Sequence, residues 1–182
     1  MKGILFNVAE EVVTTALGDH VWEDILETAG VGGAYTSLGN YPDEELARLV
    51  AAGATVLDMS ESDVYRFIGE HAIPLLVARY PVFFEGHTSG RSFVLTLNQI
   101  IHREVMKLYP GAYVPEFQFS EGADGAVVIG YSSPRRMCAL AEGFIRGSAA
   151  HFDETVAIGH AECMLEGAEA CTLHCMFEPI GA

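Results

Sequence analysis

The stretch AVVIGYSSPRRMCALAEGF, residues 126–144, changes its period half-way along. AVVIGY is an apolar run of strand length, whereas RRMCALAEGFIRGSAAHF carries apolar residues at helical spacing. Between the two patterns stand two serines, a proline and two adjacent arginines, in a chain with only 10 Lys and Arg in all. Tyr131, Ser133 and Arg135 lie two apart, so an extended backbone points all three to one face. Their tips are a phenol, a hydroxyl and a planar guanidinium, a donor set suited to a carboxylate or phosphate. The plain alternative is a strand end whose serine caps the next helix and whose arginines face water.

Just before this stretch, VPEFQFSE alternates as a strand does, EGADG is a turn, and AVVIGY completes a hairpin. After the helix, ETVAIGHAECM and ACTLHCMF read as two more strands joined by LEGAEA. Nearer the N-terminus the period is helical throughout: EEVVTTAL, HVWEDILETA, DEELARLVAAGATVL and SESDVYRFIGEHAIPLLVARY. Pro42 followed by Asp43, Glu44 and Glu45 marks a helix start, and Pro74 is expected to kink or end a turn of the fourth helix. SGRSFVLTLNQIIHREVMKLYPG predicts one long helix over roughly 89–108, stopped at Pro110-Gly111. The fold class is therefore α+β: a helical N-terminal part, then helices with a sheet of about four strands.

At 182 residues, half of them apolar, the chain reads as one domain with a sizeable core. Its formal charge of −15 opposes binding to nucleic acid or anionic lipid. The opening MKGILFNVAEEVV lacks the pattern of a signal peptide and no run approaches bilayer length, so a soluble cytoplasmic protein is expected. The acidic surface predicts a basic patch on any partner, beyond its ordinary solubilising role. His20, His71, His87 and His151 belong to no recognisable motif.

His102 lies in the apolar helix LNQIIHREVMKLYPG, with Leu95, Val105, Met106 and Tyr109 near it at helical spacing and Asn98 and Gln99 one turn earlier. Those amides suit either a satisfied buried imidazole or one oriented as a metal ligand. One histidine, an apolar surround and a separate carboxylate clamp match the needs of haem: an axial ligand, a greasy pocket and partners for two propionates.

The triplet Tyr131-x-Ser133-x-Arg135, His102 about 29 residues upstream, Pro115 between them, the opening MKGILFNV and the segment YPDEEL together resemble the haem-nitric oxide/oxygen binding (H-NOX) family. These are bacterial relatives of the haem domain of soluble guanylate cyclase, and the resemblance spans essentially the whole chain. It implies a single domain over 1–182: a helical subdomain (about 1–60) packed on a haem-ligating α+β subdomain (about 61–182) with an antiparallel sheet, and haem b between them. It implies His102 as the proximal iron ligand and Tyr131, Ser133 and Arg135 as propionate partners. Pro115 would press on the macrocycle, with Leu5, Leu140 and Phe144 also in the pocket. Arg136 matches no family position, and solvent or an acidic neighbour is its expected surround.

Members that hold oxygen stably place a tyrosine donor on the helix after the triplet; here that position is Leu140, and Phe144 one turn on has no donor either. The resemblance thus implies a sensor of nitric oxide, also binding carbon monoxide, that excludes oxygen unless Tyr65 or His71 reaches the ligand. Release of the proximal His would shift the helical part against the rest. With no kinase or cyclase signature in the chain, the signal would pass to a separate protein, in bacterial relatives a histidine kinase or a cyclic-di-GMP enzyme.

Of four cysteines, Cys163, Cys171 and Cys175 fall in the last 20 residues. With His160 they form H-x2-C-x7-C-x3-C, a plausible structural zinc set that also resembles a subset of the family whose cysteines can oxidise. An ideal strand would hold Cys171 and Cys175 roughly 13 Å apart, so this set requires a bend between them, and His174 is a competing ligand. Three buried cysteines without metal is the alternative. Cys138 reads as a small core residue. An enzyme is the competing class, as a thiol oxidoreductase or zinc hydrolase. However, full N/S coordination leaves no open position for water, and there is no CxxC pair. A thiol/zinc redox sensor, or an oxygen sensor on the same fold, completes the alternatives.

Overall fold

The computed structural model describes residues 1–181. Four helices open the chain: α1 (Gly3–Leu17), α2 (Asp19–Ala29), α3 (Asp43–Leu57) and α4 (Glu61–Arg79). Their boundaries follow local chemistry. Pro42 precedes α3, whose first turn carries Asp43, Glu44 and Glu45 against the positive helix end. The Ser60 hydroxyl accepts from the Asp63 N–H at 3.1 Å and caps α4. α4 runs on through Pro74 without ending there.

The long helix expected over 89–108 is instead three pieces. α5 (Gly90–Val94) is followed by a π-helical segment (Leu97–Ile101) and then α6 (His102–Leu108). Thr96 Oγ1 donates to the Phe93 carbonyl at 2.7 Å, and this local bond competes with the regular ladder. Apolar spacing does not separate an α-turn from a π-turn, so the break is not legible in the pattern. It places a widened turn directly before His102, where π-segments tend to mark functional sites.

The strands are β1 (Glu116–Glu121), β2 (Val127–Ser132), β3 (Glu154–Glu162) and β4 (Cys171–Pro179), forming one antiparallel sheet in the order β1-β2-β4-β3. The β1–β2 hairpin is closed by Gly122 N–H on the Ala126 carbonyl and by Asp124 Oδ1 on the Ala126 N–H. Helix α7 (Cys138–His151) lies between β2 and β3 in sequence and packs on the sheet. It starts later than its apolar pattern, because residues 133–137 are held in a turn.

α7 joins two apolar cores. Ile129, Leu173 and Ile145 belong to one, built on the sheet. Phe6, Trp22, Ile25 and Val50 belong to the other, built on the first helices, and Leu140 of α7 packs into it. α4 and α7 approach so closely that glycine is required on both. A Cβ on Gly143 would sit 2.3 Å from the Arg66 carbonyl and 2.9 Å from Gly69 Cα, both backbone atoms. Gly143→Ala must therefore push the helices apart. A loss of roughly 1–3 kcal/mol and a Tm drop of roughly 2–12 °C are expected in a thermal melt.

Candidate functional site

A cavity of about 360 Å³ lies between the helices and the sheet, within the range of cofactor pockets. All eight residues expected around a haem line it: His102, Tyr131, Ser133, Arg135, Pro115, Leu140, Phe144 and Leu5. α1 and α7 supply an apolar wall through Leu5, Val8, Leu140 and Phe144. The one hydroxyl there, Ser148 Oγ, donates to the Phe144 carbonyl at 2.7 Å. Tyr65 and His71 do not line the cavity. Tyr65 packs in the N-terminal core, and His71 is exposed, its ring nitrogen 2.9 Å from the Phe67 carbonyl.

α6 brings His102 to the cavity with its ring stacked on Phe117, centroids 5.5 Å apart. Neither amide of the preceding turn serves the imidazole. Asn98 Nδ2 donates to the Phe117 carbonyl at 2.6 Å, fixing the π-helical segment to β1, and Gln99 is exposed. Burial drives the His102 pKa down to about 4. The ring is thus neutral at physiological pH, as a nitrogen ligand to iron must be.

That shift has a sign for the haem-free chain. The unfolded imidazole takes a proton below about 6.5, the folded one only below about 4, so acid favours the unfolded state. Stability is expected to fall by up to about 3 kcal/mol as the pH drops through that window. Urea unfolding at stepped pH would show this slope, and His102→Gln would remove it.

Tyr80 and Tyr109 also line the cavity, hydroxyl to hydroxyl at 2.9 Å, a pair that sequence reading misses. Tyr109 lies seven residues beyond His102, on the same helical face by period, but Tyr80 ends a different helix. No spacing in the chain could have paired them.

The three donors lie at and just after the C-terminal end of β2. Tyr131 is buried, and its hydroxyl accepts the Met137 N–H at 3.1 Å. Ser133 is buried, and its hydroxyl accepts the Arg135 N–H at 3.2 Å. Arg135 lines the cavity while Nε donates to Asp43 Oδ2 at 2.7 Å and Nη1 to the Tyr113 carbonyl at 3.2 Å. Its guanidinium also lies 5.1 Å from the Tyr113 ring centroid. The hydrogen bond from Arg135 holds the Asp43 carboxyl below its ordinary pKa. In sequence Asp43 is no more than a helix-start acid; the cavity arginine that it meets is 92 residues away.

A half-buried neutral imidazole, an apolar enclosure and a guanidinium with phenol and hydroxyl neighbours fit an iron porphyrin bearing two carboxylates. A family model described as haem-NO-binding matches residues 2–160. The chain belongs to the haem-NO-binding, or H-NOX, family. An H-NOX protein from S. oneidensis, solved in the Fe(II)NO ligation state, is 33% identical with a TM-score of 0.88, covering 98% of this chain and 99% of that one. The H-NOX domain of Shewanella oneidensis in the Fe(II)CO ligation state is 34% identical over 98% of this chain and 99% of that chain, with a TM-score of 0.86. An H-NOX protein from K. algicida shares the fold at 23% identity, with a TM-score of 0.86 over 100% of this chain and 99% of that one. No curated protein matches the chain.

The cysteine end of this H-NOX chain is arranged differently from its spacing. Cys163 and Cys171 come together as expected, but their companion is Cys138. The Cys138–Cys163 sulfurs are 3.9 Å apart and Cys163–Cys171 4.0 Å, close to the roughly 3.8 Å edge of a tetrahedral zinc–thiolate site. All three are buried, and burial raises the Cys138 and Cys171 thiols. His160 and Cys175 stand outside this group among the described residues. β4 runs extended from Cys171 to Cys175, so the required bend does not occur. His160 Nε2 instead lies 2.7 Å from Glu142 Oε1, whose other oxygen accepts from Arg66 Nε at 2.8 Å. His174, the competing ligand, is exposed beside Asp124.

Proposed function

We propose that this H-NOX domain is a ferrous haem sensor that takes nitric oxide and carbon monoxide, does not retain oxygen, and signals to a separate protein. Bound haem would supply the iron that takes the gas. The rest is done by the chain. His102 would hold the iron from α6, and Tyr131, Ser133 and Arg135 would orient the two carboxylates. Leu5, Leu140 and Phe144 would keep water and hydrogen-bond donors from the α1/α7 wall. The observation that carries the reading is the half-buried, neutral His102 on an apolar cavity whose α1/α7 wall offers no free donor.

An apolar wall leaves oxygen without the polar partner that its partial negative charge needs, whereas nitric oxide and carbon monoxide depend less on one. Output would come from α6: once His102 is no longer held, the short helix behind its π-turn is free to reseat against the sheet. The partner would be a histidine kinase or a cyclic-di-GMP enzyme with a basic face for this acidic domain, and the cytoplasm is the compartment proposed. Among the described residues no helix is long and apolar enough to cross a membrane. No turnover is assigned to the domain. Cys138, Cys163 and Cys171 would hold a structural zinc by three thiolates, with a fourth ligand completing the set.

Absorption spectra of the ferrous protein alone, in air and with nitric oxide test the reading. A Soret band that ignores air and shifts with nitric oxide is expected. A stable oxygen spectrum would transfer the function to oxygen sensing, and no haem band after reconstitution would overturn it.

A further inference from the structure

The two adjacent arginines diverge. Arg135 lines the haem-site cavity, whereas the Arg136 guanidinium donates to the carbonyl of Met164, the residue after Cys163. Arg136 adopts φ 52°, one of three non-glycine residues in left-handed backbone among the described residues, a conformation that costs roughly 1–2 kcal/mol. Nothing in a strand-to-helix link requires that conformation at an arginine. It is held by an Arg136 N–H bond to the Ser133 carbonyl at 3.0 Å and by the contact with Met164.

The cysteine trio meets the donor cluster by three routes. Cys138 follows Met137, whose N–H is held by the Tyr131 hydroxyl. Cys163 precedes the carbonyl that Arg136 grips, and the next N–H, that of Met164, donates to Cys171 Sγ at 3.2 Å. Cys171 is the cross-strand register partner of Tyr131. The turn at residues 133–137 thus carries the carboxylate clamp and leads directly into Cys138, a thiol of the trio at the start of α7.

We propose that Arg136 is a positioning residue that couples the state of the cysteine trio to the carboxylate clamp of the haem site. Drawing the three sulfurs onto a common cation shifts the Met164 carbonyl. Arg136 carries that shift into the turn that sets Ser133 and Arg135. The clamp's hold on the haem carboxylates then depends on whether the trio is loaded, a coupling between two sites by one two-ended element. This rests on the haem reading above and on the trio's ability to take a thiophilic cation.

The test uses the ferrous haem-loaded protein, thiols reduced and metal removed by chelation, with and without Cd²⁺. Cadmium–thiolate absorption reports loading of the trio, and haem transfer to excess apomyoglobin reports the clamp. In the native chain Cd²⁺ is expected to change the transfer rate by about fivefold or more. In Arg136→Gly the thiolate band should still form while the rate changes by less than about twofold. Glycine suits the left-handed backbone, so this variant is not expected to lose its fold. Arg136→Lys, which keeps a donor without the planar fork, should fall between the two.

Equal Cd²⁺ responses in native protein and Arg136→Gly would overturn the role of Arg136. A thiolate band with no change of transfer rate in the native chain would overturn the coupling itself. Absence of the thiolate band would overturn both the trio as a cation site and the coupling. The haem reading fails separately, by absence of a Soret band at the outset.

Discussion

His102→Ala is expected to have the largest effect of any single substitution at the cavity. The imidazole is the cavity's neutral nitrogen donor, half-buried and stacked on Phe117, and its partial desolvation keeps it unprotonated. Losing a group that merely orients a metal ligand costs roughly 10–100-fold in affinity, so removing the ligand itself should cost more. Haem transfer to apomyoglobin should accelerate by more than about 100-fold, and the ferrous spectrum should lose its five-coordinate histidine character. Added imidazole, filling the space left behind, should restore the spectrum. A variant with unchanged spectrum and haem retention would show that the iron is held by another residue.

Leu140→Tyr carries the second large effect. Leu140 is 7% exposed, packs into the N-terminal core and also lines the cavity, so a larger side chain can extend toward the cavity. The phenol would put a hydrogen-bond donor on a wall that has none free. A hydrogen bond to a charged partner contributes roughly 1.5–3 kcal/mol, or about 10- to 150-fold in affinity. Oxygen affinity of the ferrous variant is expected to rise by about that factor, read as a spectrum that changes in air and persists. Nitric oxide affinity should change far less. If the variant ignores air as the native chain is expected to, selectivity is not set by a donor at position 140.

The two predictions depend on residues of different legibility. His102 is readable because a histidine in an apolar helix stands out. Tyr131 is readable as a strand position, but Ser133 and Arg135 lie in the turn after β2, so it is that turn, not one extended face, that brings them to the cavity. The hairpin, the order of helices and strands, and the caps at Pro42 and Ser60 are readable for the same reason: each depends on contacts within a few residues.

The misreadings all involve distant partners or competing local bonds. The helix over 89–108 breaks where Thr96 turns its hydroxyl back on the chain, and apolar spacing is blind to that. Asp43 looks like an ordinary helix-start acid until the fold puts Arg135 against it. Arg136 is expected in water or beside an acid, yet it bonds the Met164 carbonyl 28 residues on.

The cysteines mark the boundary most sharply. H-x2-C-x7-C-x3-C counts residues along one segment, and counting favours His160 and Cys175. Strand geometry keeps Cys175 about four residues' rise from Cys171, and Glu142 occupies His160. Cys138 enters only through the turn at residues 133–137, the pairing of β2 with β4 and the seating of α7 on the sheet.

Periodicity and side-chain chemistry act over one or two turns, so the chain alone dictates most of the elements and their order and the candidate iron ligand. Which cysteines gather, what Arg135 and Arg136 hold, and which wall of the cavity lacks a donor are settled by folding. Those are contacts between residues far apart in the chain, fixed by strand register and helix packing rather than by spacing.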